Sequence, residues 1–133
     1  MRKLLLLGLI ALLLPVVPAH AEEEGENNIH YVALEPSFVT NYGGPGRLKY
    51  LKVDVTLVTE TPEQQAALEH EMPEARNILV MLFSQQSDAE VTTPDGQDDL
   101  RAKALKALQD RFKELVNDPV VQDVLFTNLI YQK

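Results

Sequence analysis

Between residues 50 and 57 the chain alternates without a break. Leu51, Val53, Val55 and Leu57 take every second position, and Tyr50, Lys52, Asp54 and Thr56 stand between them. Successive side chains of an extended backbone point to opposite faces, so this pattern describes a strand with one face on a core and the other towards water. Such a strand needs hydrogen-bonded neighbours and a cover over its apolar face. The strand is predicted from Arg47 to about Thr59. Ahead of it, Ile29–Asn41 is also strand-like: Tyr31, Val32, Phe38 and Val39 favour a pleated surface, while Glu35-Pro36-Ser37 predicts an irregularity or a sheet edge. Asn41-Tyr42-Gly43-Gly44-Pro45-Gly46 separates the two, with Gly43, Gly44 and Gly46 free to take positive φ. Strand, glycine-rich turn and strand make a hairpin.

Helical grammar follows. Thr61 is a capping residue, Pro62 suits the first helical position, and Gln64 stands three residues after the cap. This helix is predicted to reach about Glu71. Pro73 interrupts it and fits the first turn of a second helix through Gln86, with Ala75, Ile78, Leu79, Leu82 and Phe83 on one face. Ser84–Thr92 reads as less regular, with room for a short turn. Thr93-Pro94-Asp95-Gly96 restarts the helix grammar, and Asp95, Asp98 and Asp99 favour the positive end of the new helix. Leu100, Ala104, Leu105, Leu108, Phe112 and Leu115 then recur at helical spacing as far as Asn117, where Asp118-Pro119 stops the helix. Val120–Gln132 reads as a last strand with apolar residues on both faces, Val124, Phe126 and Ile130 against Leu125, Leu129 and Tyr131. That composition predicts a strand inside the sheet, returning to the hairpin. The fold class is therefore α+β: a small antiparallel three-stranded sheet, hairpin plus C-terminal strand, packed by two to three helices.

The amino terminus carries an address. Met1-Arg2-Lys3, an apolar run of 14 residues from Leu4 to Val17, and Ala19-His20-Ala21 form the three parts of a secretory signal. At about 1.5 Å per residue that run spans roughly 21 Å, short of the roughly 30 Å hydrocarbon core. Ala19 and Ala21 are the expected cleavage-site residues, with cut after Ala21; retention of residues 4–17 as a short anchor is the alternative, and the only route to membrane association. Residues 22–28, beginning Glu22-Glu23-Glu24-Gly25-Glu26, are read as an acidic flexible segment, and 29–133 as the folded domain. The whole chain has 133 residues, with 12 Lys and Arg against 20 Asp and Glu, a net charge of −8. One domain fits that length. Such an acidic chain repels phosphates, which argues against nucleic acid as a partner. It has no cysteine, so disulfides, thiolate metal sites and cysteine nucleophiles are excluded from it.

No residue pattern declares catalysis, a metal or a cofactor. His30 and His70 are 40 positions apart, and no Gly-x-Ser-x-Gly surrounds Ser37, Ser84 or Ser87. Glu69-His70-Glu71 is read as a solvated helix face before a metal site. Gly43-Gly44-Pro45-Gly46 precedes a strand, where a phosphate-binding loop would precede a helix. Asp95-Gly96-Gln97-Asp98-Asp99 lacks the spacing of a calcium loop and is read as helix capping. Arg47, Lys49 and Lys52 form a small basic group, either edge charges or a docking point for an acidic partner. These readings describe a packed module that works through its surface.

Several segments resemble the periplasmic domain of the FliL family of flagellar basal body-associated proteins. They are Tyr31–Val39 (YVALEPSFV), Leu48–Leu57 (LKYLKVDVTL), Met72–Asn77 (MPEARN), Thr93-Pro94-Asp95-Gly96 with Leu100-Arg101, and Val124–Ile130 (VLFTNLI). In this order they cover nearly all of residues 30–131. The resemblance implies a stomatin-like domain at the flagellar motor that contacts stator or basal-body proteins and supports motility, with copies able to associate as a ring. It implies no catalytic residues and no cofactor. Family members usually carry a cytoplasmic tail and a full transmembrane anchor; the short run 4–17 is the corresponding stretch here, so the resemblance is to a periplasmic, exported form. A periplasmic scaffold of the same fold without a flagellar role is the alternative. In the exported protein, mass spectrometry is expected to find a chain beginning at Glu22; a membrane fraction holding the chain with residues 1–21 attached would report the retained anchor.

Overall fold

A computed structural model describes residues 29–133; Ala19, Ala21, the run 4–17 and the acidic segment 22–28 lie outside the described residues. β1 (His30–Tyr42) and β2 (Lys49–Thr59) form the hairpin, and β3 (Asp123–Gln132) joins β2 on its other side. Both pairings are antiparallel, and the strand order is β1-β2-β3. Gly43, with φ of 89°, occupies a conformation that side chains resist, and its N–H donates to the Gln86 carbonyl at 2.9 Å. That bond fastens the hairpin turn to the segment after the second helix.

The alternation in β2 is realised as read. Leu51, Val53, Val55 and Leu57 are buried, and the helices pack on their face. α1 (Pro62–His70) starts at Thr61, whose hydroxyl accepts from Gln64 N at 3.1 Å; Gln64 Oε1 accepts in turn from Glu60 N at 2.9 Å. Glu71 is the junction with α2 (Met72–Ser84), and Pro73 lies in the first turn, where its missing N–H costs nothing. α2 buries Ala75, Leu79 and Phe83. The Phe83 ring meets Phe38 of β1 edge-on at 5.5 Å between centroids and Phe126 of β3 at 5.7 Å. α4 (Pro94–Val116) lays Leu100, Ala104, Leu108 and Phe112 into the same core and ends at Asn117 with φ of 63°.

Two features differ from the sequence reading. First, residues 88–92, within the stretch read as irregular, form a fourth helix, α3 (Asp88–Thr92). Ser87 and Glu90 close a capping box around its start, with Ser87 N donating to Glu90 Oε2 at 2.7 Å. The Ser87 backbone bond, with Lys103 and the Ser87 hydroxyl adding, holds the Glu90 carboxyl down to about 2. Second, β3 is an edge strand, not an interior one. Its apolar residues at both parities come from a bulge. Val55 pairs with Phe126 and Asp54 with Asn128, so Thr127 has no partner and the faces exchange there. Val124, Phe126 and Leu129 share the core side, while Leu125 and Ile130 fall on the other; Leu125 lies beside Gln97, Asp98 and Arg101 of α4, and Ile130 is exposed. At Ile130 the second set of apolar residues thus marks a bare face rather than a second covered one.

α3 is held tightly against the start of α4. Thr93 Oγ1 accepts from Gly96 N at 3.0 Å, and a Cβ on Gly96 would lie 2.1 Å from the Ala89 carbonyl oxygen and 2.6 Å from Glu90 Cα. Both are backbone atoms, which cannot yield without moving α3. Gly96→Ala is therefore expected to cost about 2 kcal/mol or more, as overpacking against backbone does, measured by urea denaturation. Glu90→Gln is expected to cost about 1 kcal/mol at pH 7, the size of a lost cap at a partly solvated site. The native Glu90 pKa lies below its ordinary value of 4.5, so its contribution is complete above that value and disappears as pH falls towards about 2. The gap between parent and variant in urea midpoint is expected to close over that interval.

Candidate functional site

Two bulges fall on opposite sides of one residue. In β1, Leu34 pairs with Val55 and Phe38 with Val53, so Glu35, Pro36 and Ser37 together oppose Asp54. In β3, Thr127 bulges beside the same residue. The ladder is broken on both sides of Asp54, and side chains restore it: Ser37 Oγ donates to Asp54 Oδ1, and Thr127 Oγ1 donates to the Asp54 carbonyl at 3.3 Å. The result is an open notch of about 710 Å³ whose walls include Glu35, Pro36, Ser37, Asp54, Thr56 and Thr127. Neither histidine lines it. His30 stands at the start of β1, about 23 Å along the strand from Ser37 at roughly 3.3 Å per residue. Chemically, the notch offers hydroxyl and carboxylate groups to a polar partner.

The sheet face opposite the helices is the larger surface. Register places Val39, Lys52 and Ile130 in one row across it, with Asn41, Tyr50 and Gln132 in the next. Tyr31 is 66% exposed, Val39 64% and Ile130 52%, which is unusual for large apolar side chains on a formed sheet. Lys52 and Asp54 supply charge in the middle of the face.

The basic group read from the sequence is not a cluster. Lys49 and Lys52 differ by an odd number of positions and lie on opposite faces. Lys49 Nζ donates to both Asp88 oxygens at 2.6 and 2.7 Å and stands 5.9 Å from the Tyr42 ring centre, joining the hairpin to α3. That bond holds the Asp88 carboxyl below the usual carboxylate range, and burial pushes the Tyr42 hydroxyl up. Lys52 and Arg47 are exposed. Gly44 and Gly46 lie in the open turn with φ of 76° and 114°, and Pro62, Pro73 and Pro94 each stand in the first turn of a helix. His70 is at the solvated end of α1, its Nδ1 3.2 Å from Glu71 Oε1, and among the described residues no three His, Asp or Glu converge to hold a metal. Asp95, Asp98 and Asp99 are exposed at the start of α4. Among the described residues no helix is long and apolar enough to cross a membrane.

What the sequence reading missed is the notch. Glu35-Pro36-Ser37 signalled one of its two bulges, but Thr127, followed by Asn128 between Phe126 and Leu129, brings no proline or glycine to mark the other.

The family described as flagellar basal body-associated protein FliL matches this chain over residues 31–132, the whole sheet-and-helix unit. A flagellar protein FliL of Aquifex aeolicus (strain VF5) is 25% identical over 99 residues. That alignment covers 74% of this chain and 59% of the Aquifex protein, so the chain spans about three-fifths of that relative's length.

Proposed function

The chain belongs to the FliL family of flagellar basal body-associated proteins, and from that premise we propose a non-enzymatic accessory role on the periplasmic side of the motor, in which the domain supports stator function and motility by docking. Residues 1–21 deliver it across the membrane. The observation that carries the docking mechanism is the bare sheet face. All the packing helices lie on the Leu51–Leu57 side, which leaves Tyr31, Val39, Tyr50 and Ile130 exposed on the other. Apolar side chains around a central Lys52 and Asp54 have the make-up of a protein interface, with an apolar body and a few charges to set register. Stator or basal-body domains are its proposed partners, and the same face and the sheet edges could pair copies of the chain into a ring. An interaction surface needs no reactive group, which accords with the absence of any catalytic pattern in the sequence.

A deletion strain is expected to swim and spread poorly in viscous medium; spreading equal to the parent would overturn the motor role. The double variant Val39→Asp, Ile130→Asp places a carboxylate on each side of Lys52 in one row of the bare face. Both positions are exposed, so its unfolding free energy from urea denaturation is expected to match the parent within about 0.5 kcal/mol. It is nevertheless expected not to restore spreading. Full restoration would move the interface elsewhere on the domain.

A further inference from the structure

The free edge of β1 beyond its bulge has a wall beside it. Among the described residues β1 pairs only with β2, so along Ser37–Val39 every second residue turns its N–H and C=O away from the sheet. Arg76, Asn77 and Val80 of α2 stand opposite that edge, and the two sides enclose a groove of about 340 Å³. Strand edge on one side and helix on the other is the geometry in which an extended peptide can add to a sheet.

Arg76 supplies the chemistry. Its guanidinium carbon lies 4.2 Å from the Phe38 ring centre, so the planar group is held by stacking rather than by an acid. Among the described residues it makes no ion pair, and one terminal nitrogen is closed off from solvent without a hydrogen-bond partner. The other cations without an ion pair, Arg47, Lys52, Arg101, Lys113 and Lys133, are all exposed and hydrated; Arg76 alone is half-buried. With Nη1 closed off, the donors left for a partner are Nε and Nη2, which a carboxylate can match with two parallel N–H bonds in its plane. Carboxylates are abundant in the chain, and among the described residues none forms an ion pair with it.

We propose that the β1–α2 groove binds an extended acidic segment of a partner protein, which adds as a further strand along Ser37–Val39 and sets a Glu or Asp carboxylate on Arg76. The backbone edge supplies affinity for any extended chain, and Arg76 selects the acidic one. Val39 and Val80 offer apolar contact to the neighbouring side chains of the incoming strand. This inference concerns the partner's chemistry and stands or falls apart from the motor role, because it is read with purified protein.

The test uses the full exported protein and a blocked hexapeptide alternating threonine and glutamate, followed by NMR of the Arg76 Nε–Hε group and of the Ser37–Val39 amides. The glutamate peptide is expected to shift both sets of signals, with the threonine–glutamine peptide about tenfold weaker, since a charge-assisted pair is lost. A glutamate peptide methylated on alternate backbone nitrogens is expected to lose binding as well. Arg76→Lys is expected to keep the fold and weaken the glutamate peptide towards the glutamine level. Equal binding of the glutamate and glutamine peptides would overturn the role of Arg76. Equal binding of the methylated peptide, or the same signals shifted by acetate alone, would overturn strand addition. Sedimentation showing a dimer that covers this edge and excludes the peptide would replace the proposed partner with a second copy.

Discussion

Phe83 holds the two outer strands to one helix. Its ring stands between Phe38 of β1 and Phe126 of β3, edge-on to both, directly over the central strand. Each such contact contributes about 0.5–1.5 kcal/mol beyond the area it buries. Position matters more than that sum. A hairpin alone is marginal in water, and its third strand arrives more than sixty residues later in the chain. Phe83 is where the hairpin, α2 and the returning strand all acquire their contacts together. The close packing of α3 on α4 serves the same end, because it lets a 23-residue helix run back across the sheet and deliver the chain to β3.

A three-stranded sheet covered on one side leaves two edges and one face open. Long edges invite unwanted pairing, and natural sheets blunt them with proline, bulges or charge. β1 does this at Glu35-Pro36-Ser37 and not above it. The bare face likewise keeps apolar side chains where a domain with no partner would place polar ones. These are costs in solubility with no return in the stability of the domain itself, which is the physical ground for assigning them to contacts with other molecules.

Most of the architecture was legible from local rules. The hairpin follows from period two and the glycines, the starts of α1 and α4 from Thr61 and Thr93 with their prolines, and the inner face of α4 from Leu100, Ala104, Leu108 and Phe112. What was not legible depends on contacts between distant segments. Thr127 bulges because of how β3 meets Asp54, and that one residue exchanges the faces of the last strand. Val120 has φ of 63°, a conformation that disfavours a β-branched residue; it is held by burial and by its N–H donating to Asp118 Oδ1 at 2.6 Å. Nothing in a valine announces it. Nor does the sequence announce that Arg76 stands over the Phe38 ring with no ion pair among the described residues.

The paired bulges at Asp54 explain how the open surfaces are divided. Because both neighbours of β2 leave the ladder at the same level, the notch separates the sheet into two halves, with Tyr31 and Ala33 below and Val39, Tyr50, Lys52 and Ile130 above. Ser37 and Thr127 bind Asp54 across the gap, so each half keeps its own register and the notch does not spread. The lower part of the β1 edge ends in proline, which has no N–H to offer. The upper part begins at once with Ser37–Val39, beside Arg76, and continues around the edge onto the bare face through Val39. Edge groove and sheet face therefore meet along one strand in the same half of the domain, so a partner that lays a strand on the edge is carried directly onto the apolar row at Val39, Lys52 and Ile130.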